Sequence, residues 1–315
     1  MKNWLILSFL LTYISSSAQI KVPRDTSFTL HGTYIKEKKY RPYIKIANPD
    51  LQKNVTVKKD IVYSNLNGRE LLLDVFYPKK TKAHKKFPGV LLIYGGGWRS
   101  GDKSQMEAIA KVLAANGYVA VAPEYRLSLE AIYPAAVYDL KATLRWMREN
   151  AKAINLDKSK IASLGTSAGG QLASFLGTTN FDAKYDGDLK GSDESSAVQA
   201  IVDIDGTLAF HHPESSEGKA ASLWLGGTYQ ENPRAWEDAA PLNHVDKNTP
   251  PVLFINSSNP RFHAGRSDMI AKLDSLKIYS EIKEFPDTPH PFWFFHPWFN
   301  PMMETTIDFL NKVFK

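Results

Sequence analysis

The sequence predicts an α/β protein with a mostly parallel central sheet and helices on both of its faces. From residue 55 onward, apolar runs of strand length alternate with stretches whose apolar residues share one helical face, and parallel neighbours need crossovers of that length. The 315 residues are 43% hydrophobic and 23% charged, enough to bury one large core, and no repeat period of about 20–50 residues recurs, which argues against solenoids and propellers.

Lys2 supplies a positive charge, Trp4 to Ile14 is mostly apolar, and Ser16-Ser17-Ala18 offers small residues to a signal peptidase. Residues 1–18 are therefore expected to be a signal peptide cleaved after Ala18, giving a secreted or periplasmic protein. The apolar run is shorter than the roughly 20 residues a membrane span needs, and no other stretch reaches that length. Residues 19–54 lack sustained periodicity and read as an arm ahead of the main domain at 55–315.

Within that domain, Val55 to Val57, Asp60 to Tyr63 and Leu71 to Tyr77, with the turn Asn67-Gly68, predict antiparallel strands joined by a hairpin. Val90 to Tyr94 is a strand of the fully buried type. Met106, Ile109, Ala110 and Leu113 make a helical stripe, Tyr118 to Ala122 the next strand, and Val137, Leu140, Leu144 and Met147 another stripe. Ile161 to Leu164, Ala200 to Ile204, Val252 to Ile255 and Ile282 to Phe285 continue the strands. Met269, Leu273 and Leu276 mark a helix before the last of these, and Met303, Ile307, Leu310 and Phe314 the C-terminal one. Ligands of such sheets bind at the carboxyl ends of the strands.

The absence of cysteine excludes disulfides, thiolate metal sites and a cysteine nucleophile. The formal charge of +6 is a mild excess of 39 Lys+Arg over 33 Asp+Glu, spread along the chain apart from short runs such as Lys85-Lys86. It suits a solvated basic surface or an acidic substrate. Without an RNA-binding or helix-turn-helix motif, nucleic acid is not an expected partner.

Two glycine motifs carry the chemistry. Ile161 to Leu164 runs into Gly165-Thr166-Ser167-Ala168-Gly169-Gly170 and then into a helix-compatible stretch, the strand, sharp turn and helix that a G-x-S-x-G nucleophile elbow requires. The outer glycines allow close approach, so Ser167 can stand exposed above the sheet, with a helix N-terminus behind it favouring negative charge. Upstream, Leu91 to Tyr94 runs into Gly95-Gly96-Gly97-Trp98, where glycines let backbone N–H groups face a bound oxygen. No Gly-Lys-Ser/Thr follows, which excludes a phosphate-binding P-loop.

With Tyr94-Gly95-Gly96-Gly97-Trp98 standing for HGGGW, Tyr125-Arg126-Leu127 followed by Tyr133-Pro134-Ala135-Ala136-Val137-Tyr138-Asp139, and the Ser167 elbow, the chain resembles an α/β-hydrolase of the esterase type. It is nearest the hormone-sensitive-lipase-like and acetylxylan/feruloyl esterase branch, over roughly residues 55–315. The resemblance implies Ser167 as nucleophile, the N–H groups of Gly96, Gly97 and Ala168 as oxyanion hole, and no cofactor. It places the base on a late loop, where His290 in Phe285-Pro286-Asp287-Thr288-Pro289-His290-Pro291 fits better than His296. Tyr94 departs from the family's histidine.

The acid departs further. Relatives carry an Asp just after the strand equivalent to Val252 to Ile255, whereas this chain reads Asn256-Ser257-Ser258-Asn259-Pro260. Asn259 would orient a neutral imidazole but stabilise an imidazolium poorly. Asp205, ending Ile201-Val202-Asp203-Ile204-Asp205, and Asp268 both respect the order Ser, acid, His. Asp205 is preferred because its strand end lies at the catalytic edge if that strand sits between those of Ser167 and Asn259, and Asp268 reads as a helix cap.

Expected substrate contacts are Trp98, Arg261, His263, Arg266 and Trp293. The arginines would clamp a carboxylate, and the aromatic run Phe292 to Phe299 either offers faces to a sugar or aryl ester or docks the C-terminal helix. His211-His212-Pro213-Glu214 lacks the spacing of a helical metal site, so no metal is expected. Ala221 to Thr228, with Trp236 beyond, reads as a lid over the site or as core. The expected function is a secreted serine esterase acting on acyl or methyl esters of a plant-type polysaccharide or oligosaccharide. The competing readings are a serine peptidase of the same fold, a lipase with a wide apolar lid, and a catalytically silent carbohydrate-binding relative.

Overall fold

The computed structural model describes residue 22 and residues 25–49, 54–79, 85–187 and 192–315. The expected signal peptide and its cleavage point lie outside the described residues. Among the described residues the strands are β1 (Lys45–Ile46), β2 (Val55–Leu66), β3 (Arg69–Pro78), β4 (Phe87–Ile93), β5 (Val119–Pro123), β6 (Leu156–Thr166), β7 (Ala200–Ile204), β8 (Val252–Asn256), β9 (Ser280–Glu284) and β10 (Phe295–His296). The helices are α1 (Leu30–Lys38), α2 (Glu107–Ala115), α3 (Ala135–Glu149), α4 (Ala151–Ile154), α5 (Ala168–Thr178), α6 (Gly218–Leu225), α7 (Pro233–Asp238), α8 (Arg266–Ser275) and α9 (Phe299–Val313).

Eight strands form one sheet in the order β2-β3-β5-β4-β6-β7-β8-β9. The pairs β2/β3 and β3/β5 are antiparallel and all others parallel. The expected α/β architecture is thus present. Asn67 and Gly68 turn the β2–β3 hairpin with positive φ, as that dipeptide favours. Strands β5, β7 and β8 are buried at every residue, which is why they read as near-continuous apolar runs rather than alternating ones, Asp203 of β7 being the exception. In register, Ile93 pairs Gly165, Thr166 pairs Ile204 and Ile204 pairs Ile255. The residues that follow, Tyr94, Ser167, Asp205 and Asn256, are delivered to one edge of the sheet.

Two polar devices tie that edge to the core. Arg126 forks onto the buried Asp139 of α3, with Nη2 to Oδ1 at 2.8 Å and Nε to Oδ2 at 2.9 Å, and its own N–H donates to Oδ2 at 2.9 Å. Burial pushes the Asp139 carboxyl up, and the guanidinium opposes this. Tyr125 Oη donates to the carbonyl of Tyr94 at 2.7 Å while the two rings stack at 4.4 Å. Tyr94, the residue in place of the family's histidine, is therefore fixed by a tyrosine just beyond the end of the adjacent strand β5.

The arm is more ordered than its sequence suggests. It carries α1, capped by Thr29 Oγ1 on Gly32 N–H at 3.1 Å, and β1, which pairs antiparallel with β10. Among the residues of α1 only Thr33 is buried, so no apolar stripe announces the helix.

Candidate active site

Ser167 sits between β6 and α5 with φ +54° and ψ −124°, a conformation that favours glycine. Two neighbours make it possible. A Cβ on Gly165 would lie 1.9 Å from the carbonyl oxygen of Gly169, and one on Gly169 would lie 2.1 Å from that of Ile93. The turn is locked by Ser167 N–H to the carbonyl of Ile204 at 2.8 Å, and by the N–H of Gly170 to the Ser167 carbonyl at 2.8 Å.

His290 comes from the loop after β9. Its Nε2 lies 2.8 Å from Ser167 Oγ and its Nδ1 lies 2.9 Å from Asp205 Oδ2. The second Asp205 oxygen accepts the N–H of Ser257 at 2.7 Å, and the Asp205 side chain is wholly buried. An acceptor at Nδ1 holds the imidazole proton there and leaves the Nε2 lone pair facing Ser167. The loop after β8 thus contributes a backbone N–H where relatives place a carboxylate. The histidine loop is braced against that same segment by Thr288 N–H to Ser258 Oγ at 3.2 Å and by Ser258 Oγ to the Phe285 carbonyl at 3.3 Å. Phe262 stacks flat on the imidazole with centroids 3.3 Å apart, and Trp293 meets it edge-on at 5.0 Å.

Asp268 is remote from this array. It is exposed on α8 and faces His212 Nε2 at 3.1 Å. His211 stacks on Tyr229 instead of joining it.

In front of Ser167 lies a cavity of about 400 Å³ whose walls include Gly96, Gly97, Ala220, Arg261, Phe262 and His290. Gly96 and Gly97 have φ +136° and +60°, and a Cβ on Gly96 would strike the Ser100 carbonyl oxygen at 2.2 Å. Ala168 is the first residue of α5, so its N–H has no acceptor within the helix. Arg99 pairs with Asp25 of the arm at 2.5 Å, and Arg261 faces Glu217 at 3.6 Å. Burial raises the Glu217 carboxyl, and Arg261 and His290 draw it back down.

Several expected substrate contacts are not surface groups. Trp98 is 2% exposed, stacks on Trp224 of α6 at 5.0 Å and donates its indole N–H to Gln171 at 2.9 Å. It is a pillar beneath the cavity, because the backbone turn that opens Gly96 and Gly97 drives the next side chain inward. Trp293 is 1% exposed and backs the imidazole. His263 is buried, with its pKa held down by burial and by the Arg266 guanidinium. Arg266 donates to Asn256 Oδ1 at 2.9 Å and to Glu284 at 2.7 Å and does not line the cavity in front of Ser167. Of the five, only Arg261 lines the cavity. Trp224 of α6 and Trp236 of α7 are likewise buried, and α6 presents Ala220 to the cavity.

The sequence profile of the BD-FAE family matches residues 73–263, which is more than half of the chain. The chain belongs to the BD-FAE family. Esterase LipC of Mycobacterium tuberculosis is 32% identical to it over 194 residues, 59% of this chain and 47% of that protein. The probable carboxylic ester hydrolase LipM of the same organism is 28% identical over 206 residues, 64% and 47% respectively. The BD-FAE chain thus spans about half the length of the curated relatives it matches. Among solved structures it is similar to a truncated carbohydrate esterase from gut microbiota, with TM-score 0.69, 25% identity, and 85% of this chain and 99% of that one covered. It is also similar to a bifunctional GH43-CE protein of Bacteroides eggerthii, with TM-score 0.70, 26% identity and coverage of 82% and 38%.

Sequence reading did not single out Glu217, Phe262 or Asp203 in this BD-FAE chain. Only Asp203 left a signal, as a carboxylate within an otherwise apolar strand. It is wholly buried, Oδ1 accepts the N–H of Gly206 at 2.8 Å, and Oδ2 has no hydrogen-bond partner among the described residues. Burial pushes its carboxyl well above the usual carboxylate range, and Asp205 adds to this. A carboxyl whose pKa rises on folding binds its proton more tightly in the native state, so stability falls as pH rises above the unfolded value near 4. Asp203→Asn is therefore expected to melt higher than wild type at pH 7, with the gap closing toward pH 4. Thermal melts across that range check this, and a gap independent of pH would contradict it.

Proposed function

We propose that this chain is a secreted serine esterase, a carboxylic ester hydrolase that removes short acyl groups from the hydroxyls of plant-type polysaccharides. The observation that carries the reading is the continuous chain Ser167 Oγ, His290, Asp205, with contacts of 2.8 and 2.9 Å. Ser167 Oγ attacks the ester carbonyl carbon as its proton passes to His290 Nε2. The imidazolium is stabilised by Asp205, and the N–H groups of Gly96, Gly97 and Ala168 hold the oxyanion. Collapse breaks the bond to the alcohol, which leaves with the proton from His290. Water, deprotonated by the same nitrogen, then attacks the acyl-serine and regenerates Ser167.

The esterases among its relatives and the carbohydrate esterase among its structural neighbours support this class of reaction. In the cavity in front of Ser167, Arg99 and Arg261 each face a carboxylate, so neither is a free cation for a substrate acid beside the reacting carbonyl. Export is supported by the pattern of Lys2, the apolar run and Ser16-Ser17-Ala18. The buried carboxylate at His290 weighs against the silent binder, whose motive was a missing acid.

A fluorophosphonate is expected to label the protein once, at Ser167, in parallel with loss of p-nitrophenyl acetate hydrolysis. Peptide mapping by mass spectrometry reads the site. An unlabelled Ser167 in protein that hydrolyses no ester would overturn the proposal.

A further inference from the structure

A second cavity, of about 710 Å³, opens between α1 of the arm and the loop carrying His290. It shares Ser27, Phe28, Phe262 and His290 with the cavity in front of Ser167, so the two adjoin along these residues. Beyond the shared residues its walls include Lys36, Glu37, Tyr40 and Arg41 on one side and Asn259, Thr288, Pro289 and Pro291 on the other. Tyr40 is 75% exposed, leaving its ring face open, while Glu37 and Arg41 pair at 2.9 Å.

The arm is not loosely appended at this place. Asp25 bridges to Ser100 and pairs with Arg99, Gln105 Nε2 donates to the Phe28 carbonyl at 3.3 Å, and Phe28 and Tyr34 pack on Phe294 and Phe295 at 6.1 Å each. The aromatic run beside His290 is thus a dock for the arm, and the groove is a fixed feature of the fold.

We propose that the N-terminal arm builds the leaving-group subsite, and that the groove takes the polyhydroxylated sugar chain whose hydroxyl carries the ester. The proposal rests on the esterase reading above. In that reaction the departing alcohol takes its proton from His290 Nε2, so the alcohol portion lies on the imidazole side of Ser167, and the groove begins at the imidazole. Its walls carry Lys36, Glu37, Arg41, Asn259 and Ser27, which an alkyl chain would desolvate without return and sugar hydroxyls would satisfy. Tyr40 and Phe262 add ring faces of the kind that pack on a pyranose, with a polar edge on the tyrosine.

The test uses the full chain carrying Lys36→Ala and Tyr40→Ala, both exposed positions. The ratio of kcat/KM on partly acetylated xylo-oligosaccharides to kcat/KM on p-nitrophenyl acetate is expected to fall about tenfold, mainly through KM. Tyr43→Ala, an exposed arm tyrosine outside the groove, is expected to leave the ratio unchanged. In a Ser167→Ala background, calorimetric affinity for the same oligosaccharides should fall by a similar factor. An unchanged ratio in the double variant, or one changed equally by Tyr43→Ala, overturns the proposal. Should wild type hydrolyse neither ester, the esterase reading fails, and unaltered calorimetric affinity would then remove the groove as well.

Discussion

Replacing Ser167 with alanine is expected to lower kcat on p-nitrophenyl acetate by about 10⁵–10⁶-fold with KM little changed, the scale of nucleophile loss in serine hydrolases. The alanine keeps a Cβ, so the elbow retains the backbone locked by Ile204, Gly170 and the close approach of Gly165 to Gly169. The glycine N–H groups and the imidazole remain as well. What disappears is the oxygen 2.8 Å from His290 Nε2 that forms the acyl intermediate, and with it any pre-steady-state burst of p-nitrophenol. The acceleration that survives, about 10³–10⁴ over water, would belong to binding and the oxyanion hole. Stopped-flow kinetics with a circular-dichroism check of folding decides the matter. Turnover retained at more than about one per cent would show that another group attacks the ester.

Asp205→Asn is expected to lower kcat by about 10⁴-fold, or about 5.5 kcal/mol of transition-state stabilisation, whereas Asp268→Asn should stay within about twofold. The difference follows from what each carboxylate touches. Ser257 N–H holds Oδ1 of residue 205, so an asparagine there keeps its oxygen on Ser257 and turns its NH₂ toward His290 Nδ1. A donor at Nδ1 moves the imidazole proton to Nε2, which can then no longer accept the proton of Ser167. Asp268 has only an exposed contact to His212, whose energy is small in water. Steady-state kinetics on both variants tests the pair. The reverse order of effects would put the acid on α8 and would require the loop before it to rearrange on binding substrate.

How much of this was legible beforehand differs by the kind of signal. The buried strands were readable because residues buried on both faces leave long apolar runs, and the Ser167 elbow because strand, glycine, serine and glycine must be contiguous to make the turn. Asp205 was readable only through topology: it reaches the edge because β7 lies between β6 and β8. Trp98 and Trp293 misled because an aromatic ring beside a motif has the same sequence whether it faces the cavity or its underside, and both point inward. His263 shares a short helical turn at Pro260–His263 with Arg261, which sends successive side chains in different directions, and Arg266 already belongs to α8. Helix α1 was invisible because it buries one threonine and leans on aromatics far along the sequence. Glu217, in a polar loop without period or motif, gave no cue at all.

The pairing of β1 with β10 sets a condition on how the protein comes into being. Lys45 meets His296 and Ile46 meets Phe295 across most of the sequence, and the same junction holds α1 against the loop that bears His290. A ribosome that has released residues as far as β8 has made the serine and the aspartate, yet has made neither the imidazole nor the dock that seats the arm. A chain released only as far as β8 therefore lacks the base of the proposed mechanism, and the β1–β10 contact, between residues far apart in the sequence, carries a loop-closure cost in entropy. On the proposed mechanism, ester hydrolysis in refolding is expected no earlier than the docking of the His290 loop beside Ser167 and Asp205.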